Sequence, residues 1–207
     1  MKKLLMMLLA ATLSLPVFAQ DLATPDGLIM ATVREVLSVV KQDKAILQDQ
    51  SRLQALVDEK ILPHFDFTRM TQLAVGRPWR TATPEQKEAL VREFRAMLVR
   101  TYTKVFSTYP DPEVEVKSAK LLDESEATVR SIIRVSDGRV VTVDYEMRLK
   151  DGDWKAFDVT VEGISMVTSY RGSFADEIKQ VGIDGLIKTL SEKNRDAGDA
   201  AAAGKKG

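Results

Sequence analysis

The chain has 207 residues, with Lys plus Arg and Asp plus Glu balanced at 30 each, so it lacks the basic excess that a phosphate-backbone partner demands and no nucleic acid is expected. It has no Cys and one His, His64, which excludes disulfides, thiolate nucleophiles and multi-histidine metal sites. The fold must then rest on its apolar core.

The first segment, MKKLLMMLLAATLSLPVFA, has a positive start at Lys2 and Lys3, an apolar run from Leu4 to Leu15, and small residues Val17 and Ala19 before the break. That is the three-part pattern of a secretory signal peptide over residues 1–19, with cleavage expected after Ala19. The run is short against the about 20 residues that cross a bilayer. No Cys follows the cleavage point, so a lipoprotein is not expected.

Residues 20–193 read as a single α+β domain. From 20 to 109 the pattern is mainly helical. Ile29, Val33, Val36, Leu37 and Val40 recur at three- and four-residue spacings after Asp26-Gly27, an apolar stripe on one helix face. Ser51 to Leu62 repeats the pattern, and Pro63 ends it because proline cannot continue the hydrogen-bond ladder. Asp66 is placed to cap a short helix stopped by Gly76. Thr83, Pro84 and Gln86 form a capping box before a long helix to about Tyr109.

At Pro110-Asp111-Pro112 the period changes to two, and residues 110–166 read as an antiparallel meander of about four strands. Val129, Ile133 and Val135 share a face. Val141, Val143, Tyr145, Met147 and Leu149 alternate with polar residues after an Asp137-Gly138 turn. In the fourth strand Phe157, Val159 and Val161 are read on one face, with Trp154 and Ala156 on the other. Residues 167–193 return to helix, in two pieces separated near Gly182. The low-complexity residues 194–207 are expected to be a disordered tail.

Few groups suit catalysis. His64, alone between Pro63 and Phe65, reads as a structural residue before a general base. Asp158 and Glu162, four apart on one strand, either form an acid–base pair or serve structurally, in a salt bridge or a capped loop end, which is the simpler reading. No Walker A, G-x-G-x-x-G or H-E-x-x-H motif occurs. The surplus is apolar, and from composition alone a filled core is the simpler reading.

Three stretches add a family resemblance. They are Ile61-Leu62-Pro63-His64-Phe65-Asp66-Phe67-Thr68-Arg69-Met70; Gly76-Arg77-Pro78-Trp79-Arg80 leading to Ala82-Thr83-Pro84-Glu85-Gln86; and Trp154-Lys155-Ala156-Phe157-Asp158-Val159 with Glu162-Gly163-Ile164-Ser165, Tyr170-Arg171, Phe174 and Gly182-Ile183-Asp184-Gly185-Leu186. Together they resemble the MlaC family, periplasmic phospholipid shuttles also labelled toluene-tolerance or ABC-transporter auxiliary proteins. Pro78 departs from the aromatic residue more usual there. The resemblance implies a fold related to the nuclear-transport-factor-2 type, a curved antiparallel sheet packed with helices around an apolar cavity. It implies a non-catalytic carrier with phospholipid as cargo and no cofactor or metal. The implied partners are an outer-membrane lipoprotein–porin complex and an inner-membrane MCE-domain ABC transporter, in a system maintaining outer-membrane lipid asymmetry.

On that reading Val143, Tyr145, Met147, Phe157, Val159 and Val161 from the strands, with Leu98, Val105 and Phe106 from the long helix, sheathe the acyl chains. Ile164, Met166 and Tyr170 line the mouth or floor. Arg171 either pairs with Asp158 at the strand-to-helix junction or meets a phosphate. Two rivals stay open. One is an acid–base enzyme of the related cone-shaped fold, with Asp158 as base and Tyr145 as oxyanion donor. The other is an adaptor or chaperone with a filled core and no ligand.

Overall fold

A computed structural model describes residues 22–109 and 111–203, with the side chains of Val105, Phe106 and 197–203 left outside the description. The signal peptide expected over 1–19 also lies outside the described residues. Helix α1 runs Pro25–Gln42, α2 Gln50–Lys60, α3 Phe67–Val75 and α4 Pro84–Thr108. Strands β1 Glu113–Val116, β2 Lys120–Leu121, β3 Glu126–Arg134, β4 Val140–Lys150, β5 Asp153–Val161 and β6 Ile164–Ser165 follow. Helix α5, Thr168–Ala203, closes the chain, broken at Gly182, whose φ of 76° is not helical.

The helix starts follow the capping chemistry in the sequence. Asp66 accepts the Arg69 N–H at 3.1 Å and opens α3. Gln86 N–H donates to Thr83 Oγ1 at 3.2 Å and Thr83 N–H donates to Gln86 Oε1 at 3.0 Å, closing the box ahead of α4. Gln86 Nε2 also donates to Asp184 at 2.8 Å, tying this helix start to α5. Short 3-10 turns at Lys44–Leu47, Leu62–His64 and Arg77–Arg80 carry the chain between helices. Pro63 sits inside the second of these, just after α2 has stopped.

The strands form one antiparallel sheet in the order β1-β3-β4-β5-β6, with β2 also on β3. It has six strands where periodicity gave about four. The two additions, β2 and β6, are two residues long, too short to leave an alternating pattern. A second difference lies in β5. Met147 opposes Ala156 while Glu146 opposes Asp158, so Phe157 is an extra residue bulged out of the ladder. The bulge reverses the alternation expected for this strand. Trp154 and Ala156 share the face of Val159 and Val161, and Phe157 does not.

Three packed groups make the core. Met70, Ala74, Leu90, Phe94, Leu98, Phe157, Phe174 and Leu186 join α3, α4 and α5. Leu28 and Ile29 of α1 pack on Ala127, Val129, Met147, Trp154 and Ala156 of the sheet. Val36, Val40, Ile46, Leu53 and Leu56 close α1 against α2. Of the tail expected over 194–207, residues 194–203 are instead the last part of α5, and 204–207 lie outside the described residues. Arg100 donates to the Asn194 side chain at 2.8 Å, and Asn194 Nδ2 donates to Glu93 at 2.9 Å. The alanine-rich run beyond it favours helix.

Candidate ligand site

Cross-strand register assembles the site. Ser131 opposes Val143 and Val129 opposes Tyr145. Val143 opposes Val161, and Tyr145 opposes Val159. Directly opposed residues share a face, so Val129, Ser131, Val143, Tyr145, Val159 and Val161 form one contiguous apolar patch of three strands. Toward Met147 and Ala156 the same face is closed by α1, and Met147 is fully buried in that packing.

The other end is different. Val143 and Val159 are buried, yet among the described residues they belong to none of the three packed groups. Tyr145 keeps accessible surface, although burial pushes its phenol pKa up, with the neighbouring Ser131 hydroxyl acting the other way. Tyr145 also packs against the group that α1 forms with the sheet. Ser131 on the same face is wholly hidden.

The remaining residues of the expected sheath divide. Leu98 and Phe157 belong to the helical core. Tyr170 packs edge-on to Phe94, ring centroids 5.3 Å apart, at the border of that core. Met166 is half-buried, and its N–H donates to the Val159 carbonyl at 2.8 Å. Ile164 is 67% exposed beyond the turn formed by Glu162 and Gly163, with φ of 50° and 80°. Val105 and Phe106 lie in the last turns of α4, outside the described side chains.

Asp158 and Glu162 do not form a pair. Asp158, 4% exposed, accepts the Val159 N–H at 2.8 Å, the Val167 N–H at 3.1 Å and the Ser165 hydroxyl. Those bonds fasten the β5–β6 hairpin to the start of α5. Glu162 is exposed at the turn and accepts the Thr142 N–H. Asp158, inside β5, ties that strand to the start of α5, and Glu162 ends the following turn, so both carboxylates serve structurally. Arg171 does not pair with Asp158 either. Its guanidinium lies over Gly76, 3.4 Å from where a Cβ would stand there. His64 is half-buried, and burial, then the Lys155 charge, lowers its pKa.

An open groove of about 820 Å³ runs along the outer side of α4, lined by Gln54, Asp58, Thr68, Trp79, Val91, Ala96 and Val99 among others. Asp58, Lys87, Glu88, Arg92, Arg95 and Arg100 also line it, and Arg95 reaches Asp58 at 3.6 Å. None of the expected sheath residues is there. The groove and the sheet patch are separate surfaces, with no lining residue in common. Among the described residues no group of three or more His, Asp or Glu is placed to hold a metal ion, and no helix is long and apolar enough to cross a membrane.

Ser131 is the residue that the sequence pattern passed over. It stands in phase with Val129 and Ile133 on β3, so the signal was a polar residue on the apolar beat.

The MlaC protein family model matches residues 30–192. The chain is 32% identical over 190 residues to the toluene tolerance protein Ttg2D of Pseudomonas putida, covering 90% of this chain and 86% of that one. It is 22% identical over 174 residues to the intermembrane phospholipid transport system binding protein MlaC of Haemophilus influenzae, covering 82% and 81%. Among solved structures, a phospholipid-binding protein from Ralstonia solanacearum in complex with a phospholipid superposes with a TM-score of 0.76 at 32% identity, covering 84% of this chain and 98% of that one. The chain belongs to the MlaC family.

Proposed function

We propose that this protein is a periplasmic phospholipid carrier that holds the acyl chains of its cargo against the β3–β4–β5 face around Val143, Tyr145, Val159 and Val161. It moves the lipid between an outer-membrane lipoprotein–porin complex and an inner-membrane MCE-domain ABC transporter, and it catalyses no reaction. The observation that carries this reading is the β3–β4–β5 face on which Val143 and Val159 are buried outside the packed core groups, beside a Tyr145 that keeps accessible surface. The lipid held by the Ralstonia relative supports it.

The energetics fit a carrier. Two acyl chains bring about 30 methylenes, each worth roughly 0.8 kcal/mol when removed from water, or about 24 kcal/mol gross. Free lipid does not cross an aqueous gap against such a term. A shuttle needs a comparable apolar surface and leaves the driving force to its partners. The enzyme reading loses its base, because the Asp158 carboxylate is spent on three structural donors.

Native mass spectrometry of protein purified from the periplasm tests the reading. One or two phospholipids are expected to travel with the polypeptide. Val143→Trp and Val161→Trp should cut occupancy about tenfold or more while folding is retained, since an indole entering a hollow avoids the roughly 1–3 kcal/mol that overpacking costs in a filled core. A bare polypeptide mass in every preparation favours the ligand-free adaptor. Destabilised Trp variants with undiminished lipid place the cargo elsewhere.

A further inference from the structure

Every side chain of the patch is apolar except Ser131 and Tyr145. Ser131 is 0% exposed, and its Oγ has no hydrogen-bond partner. A buried hydroxyl without a partner is unfavourable enough that one in a native structure calls for an explanation. Its polar neighbour on the same face is the Tyr145 phenol, two residue pairs along the β3–β4 ladder. By register the two side chains are diagonal neighbours on one face, and the Ser131 hydroxyl pulls the phenol pKa down against burial, yet the Ser131 Oγ has no partner of ordinary hydrogen-bond geometry. Valine or phenylalanine at either position would complete the apolar surface without that cost.

We infer that Ser131 and Tyr145 form a relay that recognises the carbonyl of a fatty acyl ester, Ser131 donating to the Tyr145 oxygen and the Tyr145 O–H donating to the ester. The inference rests on the carrier reading and specifies its cargo as acyl ester lipid rather than hydrocarbon chains in general. The order of the relay follows from exposure. Tyr145 keeps accessible surface and is the group that touches ligand, while Ser131 has none and acts as a positioning residue. Donation by Ser131 polarises the phenol, so the outer bond is strengthened by the inner one. An ester carbonyl suits this site better than a free fatty acid, because a carboxylate brought against the patch would be a buried charge with no cation among the patch residues.

The test uses the mature protein and a displaceable fluorescent phospholipid, with dipalmitoyl phosphatidylglycerol and its dihexadecyl ether counterpart as competitors. The ether has the same chains and head group and no carbonyl. Wild type is expected to bind the diester roughly tenfold more tightly, the size of a hydrogen bond whose loss leaves a buried donor unmet. Tyr145→Phe should collapse the ester-to-ether ratio to about one through loss of ester affinity, and Ser131→Ala should reduce it part of the way. A purely structural Ser131 would leave that ratio alone. Equal binding of both lipids by wild type overturns the inference while the carrier reading stands, and so does a ratio that survives Tyr145→Phe. Preference for palmitate over methyl palmitate also overturns it. If neither phospholipid binds, the carrier reading falls and takes this inference with it.

Discussion

Asp66 is 3% exposed, and groups from three elements converge on it. One oxygen accepts the Arg69 N–H and lies 3.3 Å from Lys150 Nζ; the other meets Arg148 at 2.6 Å. Its own N–H donates to the Ala156 carbonyl at 2.8 Å. The start of α3 is thereby stitched to β4 and β5. Burial by itself would raise the carboxyl pKa, but the Arg69 N–H and the Arg148 and Lys150 charges outweigh it, and the net shift is downward. A carboxylate whose folded pKa is depressed contributes stability above its unfolded pKa and loses it as pH falls through the folded value. Asp66→Asn keeps a capping side chain but no charge. It should cost about 1–3 kcal/mol at neutral pH, because Arg148 and Lys150 are partly exposed and are only partly stranded. Urea unfolding should show the gap to wild type closing as pH drops well below about 4. A gap unchanged in acid would make the residue's role one of shape. The cap was legible in the sequence because its partner is three residues away. The ion pairs were not, because Arg148 is 82 positions distant and only tertiary structure brings it near.

The same rule, that local chemistry is legible and long-range geometry is not, holds for whole elements. The Thr83–Gln86 box, the Gly76 stop and the strand alternation of β4 are written in spacings of a few residues, and each stands as read. The bulge at Phe157 is not written that way. Its cause lies in neighbours: the Phe65 segment bridges to Ala156 beside it, and the ring is taken up by the helical core. One extra residue therefore puts Trp154 and Ala156 on the face of Val159 and Val161 and Phe157 away from it. In α5 the two glycines of Gly182-Ile183-Asp184-Gly185 have separate physical roles. Gly182 adopts a φ that L side chains avoid, and the resulting break folds Val181 back over Gly185. A Cβ on Gly185 would collide with Val181 Cγ2 and stand 2.5 Å from the Val181 Cβ, so the backbone would have to move. Gly185→Ala should cost about 1–3 kcal/mol. Gly172, in the same helix, has nothing within 4 Å of where a Cβ would stand, and Gly172→Ala should stabilise by roughly 0.5–1 kcal/mol. Thermal unfolding of the two variants should shift Tm in opposite directions. A shift of one sign for both would mean that the close approach of Val181 does not limit this helix.

At the scale of the molecule, helices α3, α4 and α5 share one core and α1 shares another with the sheet. Val143, Val159 and Val161 lie outside both. On the carrier reading that end of the face lines a hollow, and the lining of an unfilled hollow forfeits dispersion contacts. Cargo that binds the folded state and not the unfolded chain supplies them. At a free lipid concentration about 100 times Kd the linkage is worth about 2.7 kcal/mol, or roughly 5–10 °C in Tm for a chain of this size. Protein stripped of lipid under mild denaturant and refolded should therefore melt that far below the lipid-loaded form, and adding phospholipid should restore the difference. Val143→Trp supplies the missing contacts from within. Its stripped form should melt closer to the loaded wild type, and added lipid should move it little. Identical melting of stripped and loaded wild type would mean that the cargo touches no surface the fold leaves unmatched, and the patch around Tyr145 would then be ordinary core.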